Sequence, residues 1–146
     1  MLHTTTPGDQ IMNQSSLSIL HFIAASNGYL ELCQFIIENV EDLNPCDDEG
    51  YTPLHWAVQN GNFEVCKALL LNVKNKQPKD KIGRTPLHYA AQECHLNICS
   101  LILENVYDKY PKDDLGLTPK DVALERKHYE IVNLFGATPL FYALRE

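Results

Sequence analysis

A nine-residue phrase recurs along the chain at a fixed interval. Gly50-Tyr51-Thr52-Pro53-Leu54-His55-Trp56-Ala57-Val58 returns 33 residues later as Gly83-Arg84-Thr85-Pro86-Leu87-His88-Tyr89-Ala90-Ala91. After another 33 residues it stands in weaker form as Gly116-Leu117-Thr118-Pro119-Lys120-Asp121-Val122-Ala123. The phrase has one local meaning. Glycine supplies a turn position that accepts positive φ, threonine caps a helix through its hydroxyl, and proline takes the first helical position, where a missing N–H costs nothing. A period of this size marks a stack of equal units, each too small to bury its apolar face alone.

The rest of the chain fits around this phrase. Residues 1–14 are mixed and polar and are expected to form a disordered lead-in. Ser15 and Ser16 are placed to cap a helix over about 17–26, Gly28 to end it in the left-handed conformation, and a second helix to follow over about 30–39. From Gly28 onward the phase is 33, with Gly28 and Gly61, Cys33 and Cys66, and Val40 and Val73 in register. Before Gly28 the phase reads as broken. His21 is one residue out of step with His55 and no Thr-Pro precedes it, as in a terminal unit lacking a neighbour on one side.

Three further helix pairs are expected, at about 53–60 and 63–72, 86–93 and 96–105, and 119–126 and 129–135, with apolar residues at helical spacing. Cys94 stands at an inter-helix position where the other units are read as holding glycine, which predicts either strain of about 1 kcal/mol there or a different turn. The polar connections keep Pro45, Pro78 and Pro111, Asp47, Asp80 and Asp113, and Gly50, Gly83 and Gly116 in step. The units then run 15–46, 47–79, 80–112 and 113–135. Residues 136–146 begin another Thr-Pro phrase only 20 residues after Thr118. They read as a capping helix, with a frayed tail as the alternative, because a run of apolar residues is costly to leave in water.

Helix, tight turn, helix and polar hairpin every 33 residues resemble the ankyrin repeat, over about residues 17–135. The resemblance implies an all-α solenoid of stacked helix-turn-helix units joined by β-hairpin-like loops, with a shared core of Leu54, Ala57, Leu69, Leu70, Leu87, Ala90, Leu101 and Ile102. It gives His55 and His88 a scaffold role, bonding backbone across the hairpin–helix junction. It also implies a non-catalytic protein-binding module whose concave groove is made of hairpin tips and first helices. Carried over column by column, that groove comprises Asp48, Glu49, Tyr51, Trp56, Gln59 and Asn60 in the second unit. In the third it comprises Lys81, Ile82, Arg84, Tyr89, Gln92 and Glu93, and in the fourth Asp114, Leu115, Leu117, Glu125 and Arg126. Aromatic and arginine side chains anchor interfaces, which singles out Tyr51, Trp56, Arg84 and Tyr89. The competing reading of Trp56 and Tyr89 is packing between units. With Lys79, Lys81 and Arg84 central and acidic tips beside them, the expected partner is a protein with an acidic centre and basic edges. On this reading Arg84→Ala or Tyr51→Ala removes capture and leaves the melting curve nearly unchanged.

Charge and motif content narrow the function. The net charge is −7 and the pI about 5.3, against sequence-independent nucleic-acid binding and against docking on anionic membranes. No apolar run reaches the roughly 20 residues of a spanning helix. The five cysteines are odd in number and form no C-x-x-C pair, which suits a reduced cytoplasmic setting, with the nucleus as the alternative. Cys33, Cys66 and Cys99 share an apolar column and read as buried thiols, too far apart for disulfides. Asp47, Asp80 and Asp113 read as turn residues. His95 and His128 fall near or just after the inter-helix turns and read as surface or packing residues rather than ligands. No phosphate-binding, nucleophile-elbow or zinc pattern occurs, so no catalytic residue, metal or cofactor is expected. A monomeric binding module is the leading expectation. A structural segment of a longer array, with no binding of its own, is the alternative.

Overall fold

The Thr-Pro pairs at 52–53, 85–86 and 118–119 each open a helix in the computed structural model, which describes residues 14–136. Eight helices lie in this range, paired as α1 (Gln14–Asn27) with α2 (Leu30–Asn39), α3 (Pro53–Gln59) with α4 (Phe63–Asn72), α5 (Pro86–Gln92) with α6 (Leu96–Asn105), and α7 (Pro119–Glu125) with α8 (Tyr129–Leu134). The first helices pack in sequence α1, α3, α5, α7, and the second helices form a parallel layer α2, α4, α6, α8. No strand occurs among the described residues, so the array is all-α. Of the expected lead-in over 1–14 and cap over 136–146, residues 1–13 and 137–146 lie outside the described residues, whereas Gln14 already belongs to α1.

Local chemistry explains the helix starts. Thr52, Thr85 and Thr118 are extended N-cap residues followed by proline. The His55 amide donates to Thr52 Oγ1 at 3.3 Å and the Asp121 amide to Thr118 Oγ1 at 3.1 Å. In return the amides of Thr52, Thr85 and Thr118 donate to His55 Nδ1, His88 Nδ1 and Asp121 Oδ2, each at 3.0 Å. Such reciprocal caps satisfy amides the helix itself leaves unpaired, each worth about 1 kcal/mol.

The same histidines join the units. With Nδ1 accepting, the proton sits on Nε2, which donates to the Arg84 carbonyl from His55 (3.0 Å) and to the Leu117 carbonyl from His88 (2.8 Å). Burial lowers the pKa of both rings, outweighing the carbonyls that favour the charged form. A proton on Nδ1 would face the threonine N–H, so the neutral tautomer is the structural one.

At the inter-helix turns Gly28 and Gly61 both have φ +73°. A Cβ on either would approach the next unit to 3.0 Å, at Asn62 Oδ1 and at His95 Cε1. The other two units depart from glycine. Cys94 has φ 58°, as expected of the strained junction, but Lys127 has φ 61°, so the reading that only the third unit lacks glycine is corrected. Asn62, His95 and His128 form the following column. They tie each turn to the preceding first helix through the carbonyls of Ala25 (2.6 Å), Gln59 (3.2 Å) and Ala91 (3.0 Å), which lie in the last helical turn.

The first unit is more regular than its sequence suggests. Ser15 and Ser16 lie inside α1 rather than before it. Ala24 heads a fully buried column with Ala57, Ala90 and Ala123, so the 33-residue phase extends back across α1. In that register His21 stands where Leu54 and Leu87 stand, and Phe22 stands in the histidine column. His21 is buried with neither ring nitrogen hydrogen-bonded. Burial lowers its pKa to about 4, with Asp42 opposing.

The core contains Leu54, Ala57, Leu69, Leu70, Leu87, Ala90 and Ile102, all fully buried. Leu101, expected there, is half-buried because its neighbour Ile102 takes the inward position. Cys33, Cys66 and Cys99 are buried free thiols. Burial raises all three, Cys33 to about 11 and Cys99 to about 12.

Candidate interaction surface

The hairpins are built on one aspartate each. Asp47 Oδ1 accepts the amides of Glu49 and Tyr51, Asp80 Oδ1 those of Ile82 and Arg84, and Asp113 Oδ1 those of Leu115 and Leu117, all at 2.8–3.0 Å. This is the expected turn chemistry. Neighbouring tips are joined through the main chain, where the Lys81 amide donates to the Glu49 carbonyl (3.1 Å) and the Asp114 amide to the Ile82 carbonyl (3.0 Å). Side chains at the tips take no part in these bonds. Asp48, Glu49, Lys81, Ile82, Asp114 and Leu115 are all exposed.

The second carboxylate oxygen of each aspartate reaches the aromatic and arginine candidates. Asp47 Oδ2 accepts the Trp56 indole N–H at 3.0 Å, Asp80 Oδ2 accepts the Tyr89 hydroxyl, and Asp113 Oδ2 accepts Arg84 Nε at 3.1 Å. Tyr51 packs edge-on against Trp56 and Tyr89, with ring centroids 5.5 Å and 5.8 Å away. Arg84 also donates from Nη1 to Gln92 Oε1 at 2.8 Å and lies 5.9 Å from the Tyr89 ring centroid. The four singled-out residues thus form one network spanning two units.

Two expectations change as a result. Tyr89 is only 5% exposed and its hydroxyl is bonded inward, so it packs between units, as the competing reading held. Arg84 pairs with the buried Asp113, whose carboxyl is pushed up by burial but held below the usual range by the Leu117 amide, Arg84 and the Leu115 amide. Arg84→Ala therefore unpairs a buried carboxylate, and it is expected to lower the melting curve rather than leave it nearly unchanged. Arg84 is also not a free cation of a basic central unit, whereas Lys79 and Lys81 are exposed. Trp56, Tyr51, Gln59, Gln92 and Leu117 are half-buried on the inner face, and Asn60, Glu93, Glu125 and Arg126 are exposed. Asn60 donates to the Ser26 carbonyl at 3.0 Å and Gln92 to Glu93 Oε2 at 3.2 Å.

Sequence reasoning missed the surface of α1. Ile19 and Ile23 are 62% and 43% exposed and stand one turn apart. With Phe22, Asp47 and Trp56 they line a groove of about 400 Å³. Ile23, Trp56, Tyr89 and Val122 occupy one column of the inner face. Exposure falls along it from 43% at Ile23 through half-buried Trp56 to 5% at Tyr89 and 2% at Val122. The signal was the second apolar stripe, Ile19-Phe22-Ile23, on a helix that already buries Leu17, His21, Ala24 and Ala25; a helix apolar on two sides exposes one of them unless something covers it.

Charge is also distributed unevenly. The first 66 residues carry nine Asp and Glu and no Lys or Arg, whereas the remaining 80 carry all twelve cations against ten carboxylates. Among the described residues no group of three or more His, Cys, Asp or Glu side chains could hold a metal ion, and no helix is long and apolar enough to cross a membrane.

A family model described as ankyrin repeats (3 copies) matches residues 2–80 and 70–138. Among curated proteins no match is found.

Proposed function

The chain belongs to the ankyrin-repeat family, and from that premise we propose that it is a non-catalytic protein-binding module that captures a protein partner on its hairpin tips and inner helices. Ankyrin repeats are in general protein-interaction modules. The observation that carries the reading is the division of labour within each unit. Recurring residues are buried or bonded into the scaffold, as at Thr52, His55, Thr85, His88 and Asp113. The tips vary in charge and polarity, from Asp48-Glu49 to Lys81-Ile82 to Asp114-Leu115, and stay exposed. Five free cysteines, three of them buried, support a reducing compartment such as the cytoplasm. The protein acts as a monomer and needs no cofactor, and its net negative charge favours protein over nucleic acid as the partner.

The test compares tip variants for partner capture and for melting. Lys81→Glu with Ile82→Ser, and Leu115→Ser with Asp114→Lys, are expected to keep the wild-type melting temperature within a few degrees. At least one pair is expected to lose a partner retained by the wild-type protein. Capture of the same partners by every tip variant would refute this use of the surface.

A further inference from the structure

We infer that the groove between α1 and α3 receives a basic amphipathic segment of a protein partner, with its apolar side chains on Ile19, Phe22, Ile23 and Trp56 and its cations against Asp48 and Glu49. The inference rests on the binding-module reading and names the partner's chemistry at one place on that surface.

Two independent gradients run the same way along the array. The inner-face column is apolar throughout but opens to solvent only at Ile23 and Trp56; further along, Tyr89 and Val122 are covered. Fixed charge is wholly negative over the same stretch, since no lysine or arginine precedes Lys67. The apolar floor therefore coincides with the acid-only part of the sequence, and exposed Lys81 stands on the neighbouring tip. Asp47 lines the groove, but its oxygens are already occupied by the Glu49 and Tyr51 amides and the Trp56 indole. The exposed Asp48 and Glu49 beside it are the carboxylates left to meet a cation. Apolar burial supplies affinity, and opposite charge speeds encounter and sets orientation. An acidic segment, a nucleic acid or an anionic membrane would be repelled by the same field.

The protein carries its own reporter, because Trp56 is the only tryptophan and lies in the groove. The full chain is titrated with a short helical peptide of leucine and lysine in amphipathic order, and with a leucine–glutamate peptide of the same pattern. The leucine–lysine peptide is expected to saturate a blue shift of Trp56 emission, and the acidic peptide to leave it unchanged. Ile19→Ser with Ile23→Ser, and separately Asp48→Lys with Glu49→Lys, are each expected to weaken binding at least tenfold. Tyr107→Ser, at an exposed position outside the proposed binding surface, is expected to leave it unchanged.

Equal binding of both peptides, or indifference to the α1 pair, overturns the inference. A silent titration overturns it too, including where sedimentation shows that a second copy fills the groove or where methyl NMR shows that another part of the chain does. The titration does not involve the natural partner. If peptide binding fails while the tip variants of units three and four still lose that partner, the groove assignment alone falls.

Discussion

At His21 an imidazole occupies the column that Leu54 and Leu87 fill in the next two units. Both ring nitrogens are buried without partners. The folded pKa is about 4 against 6.5 for the free side chain, so the unfolded chain takes up the proton first. Stability therefore falls as pH drops below about 6.5 and the loss levels off near 4, amounting to about 3 kcal/mol over that window. His55 and His88, also lowered by burial, act in the same direction. His21→Leu is expected to stabilise the protein at pH 7 by about 1–2 kcal/mol, by removing unpaired polar atoms from an apolar site. It should also flatten the acid limb of a stability–pH curve measured by urea unfolding. A variant that melts lower than wild type, with an unchanged acid limb, would refute this account. The sequence displayed the histidine but not its surroundings. Its displacement by one residue from His55 looked like a lost register, whereas the register holds and the residue type has changed.

Between elements, the joints are made by side chains reaching carbonyls and carboxylates 29 to 37 residues away. His55 and His88 reach the next hairpin, Asn62, His95 and His128 reach the previous helix, and Arg84 reaches Asp113. Arg84 and Asp113 side chains are 15% and 2% exposed. Arg84→Ala leaves that carboxylate with its amide donors but no cation, and is expected to cost about 2 kcal/mol in a denaturant titration. It should also move acid unfolding to higher pH, because Asp113 contributes stability that is lost as pH falls through its depressed pKa. An unchanged urea midpoint would show that the amides alone hold the carboxylate. From the second unit on, helix positions and the threonine caps of the first helices were legible in the sequence because Thr, Pro and Gly act within a few residues of themselves; the Ser15 and Ser16 cap was not, since both lie inside α1. The Arg84–Asp113 pair was not, because its two halves stand 29 residues apart and meet only once the units are stacked. The exposure of Ile19 and Ile23 was hidden for the same reason: whether an apolar residue is covered depends on the neighbouring helix.

Across the whole array, each unit touches only its neighbours, so stability is distributed as a sum of units and interfaces. The acid-only first half adds self-repulsion that the second half lacks. Raising ionic strength shortens the Debye length from about 30 Å at 0.01 M to about 10 Å at 0.1 M. Hydrogen exchange in α1 and α2 is expected to slow markedly over this range, with α5 and α6 changing little. A uniform response along the chain would mean that the charge asymmetry carries no local energetic weight. The main-chain bonds that link one tip to the next, at Glu49–Lys81 and Ile82–Asp114, have a consequence for descent. The seam is stitched by atoms every amino acid shares, so mutation can redraft what the tips recognise without unpicking what holds them side by side.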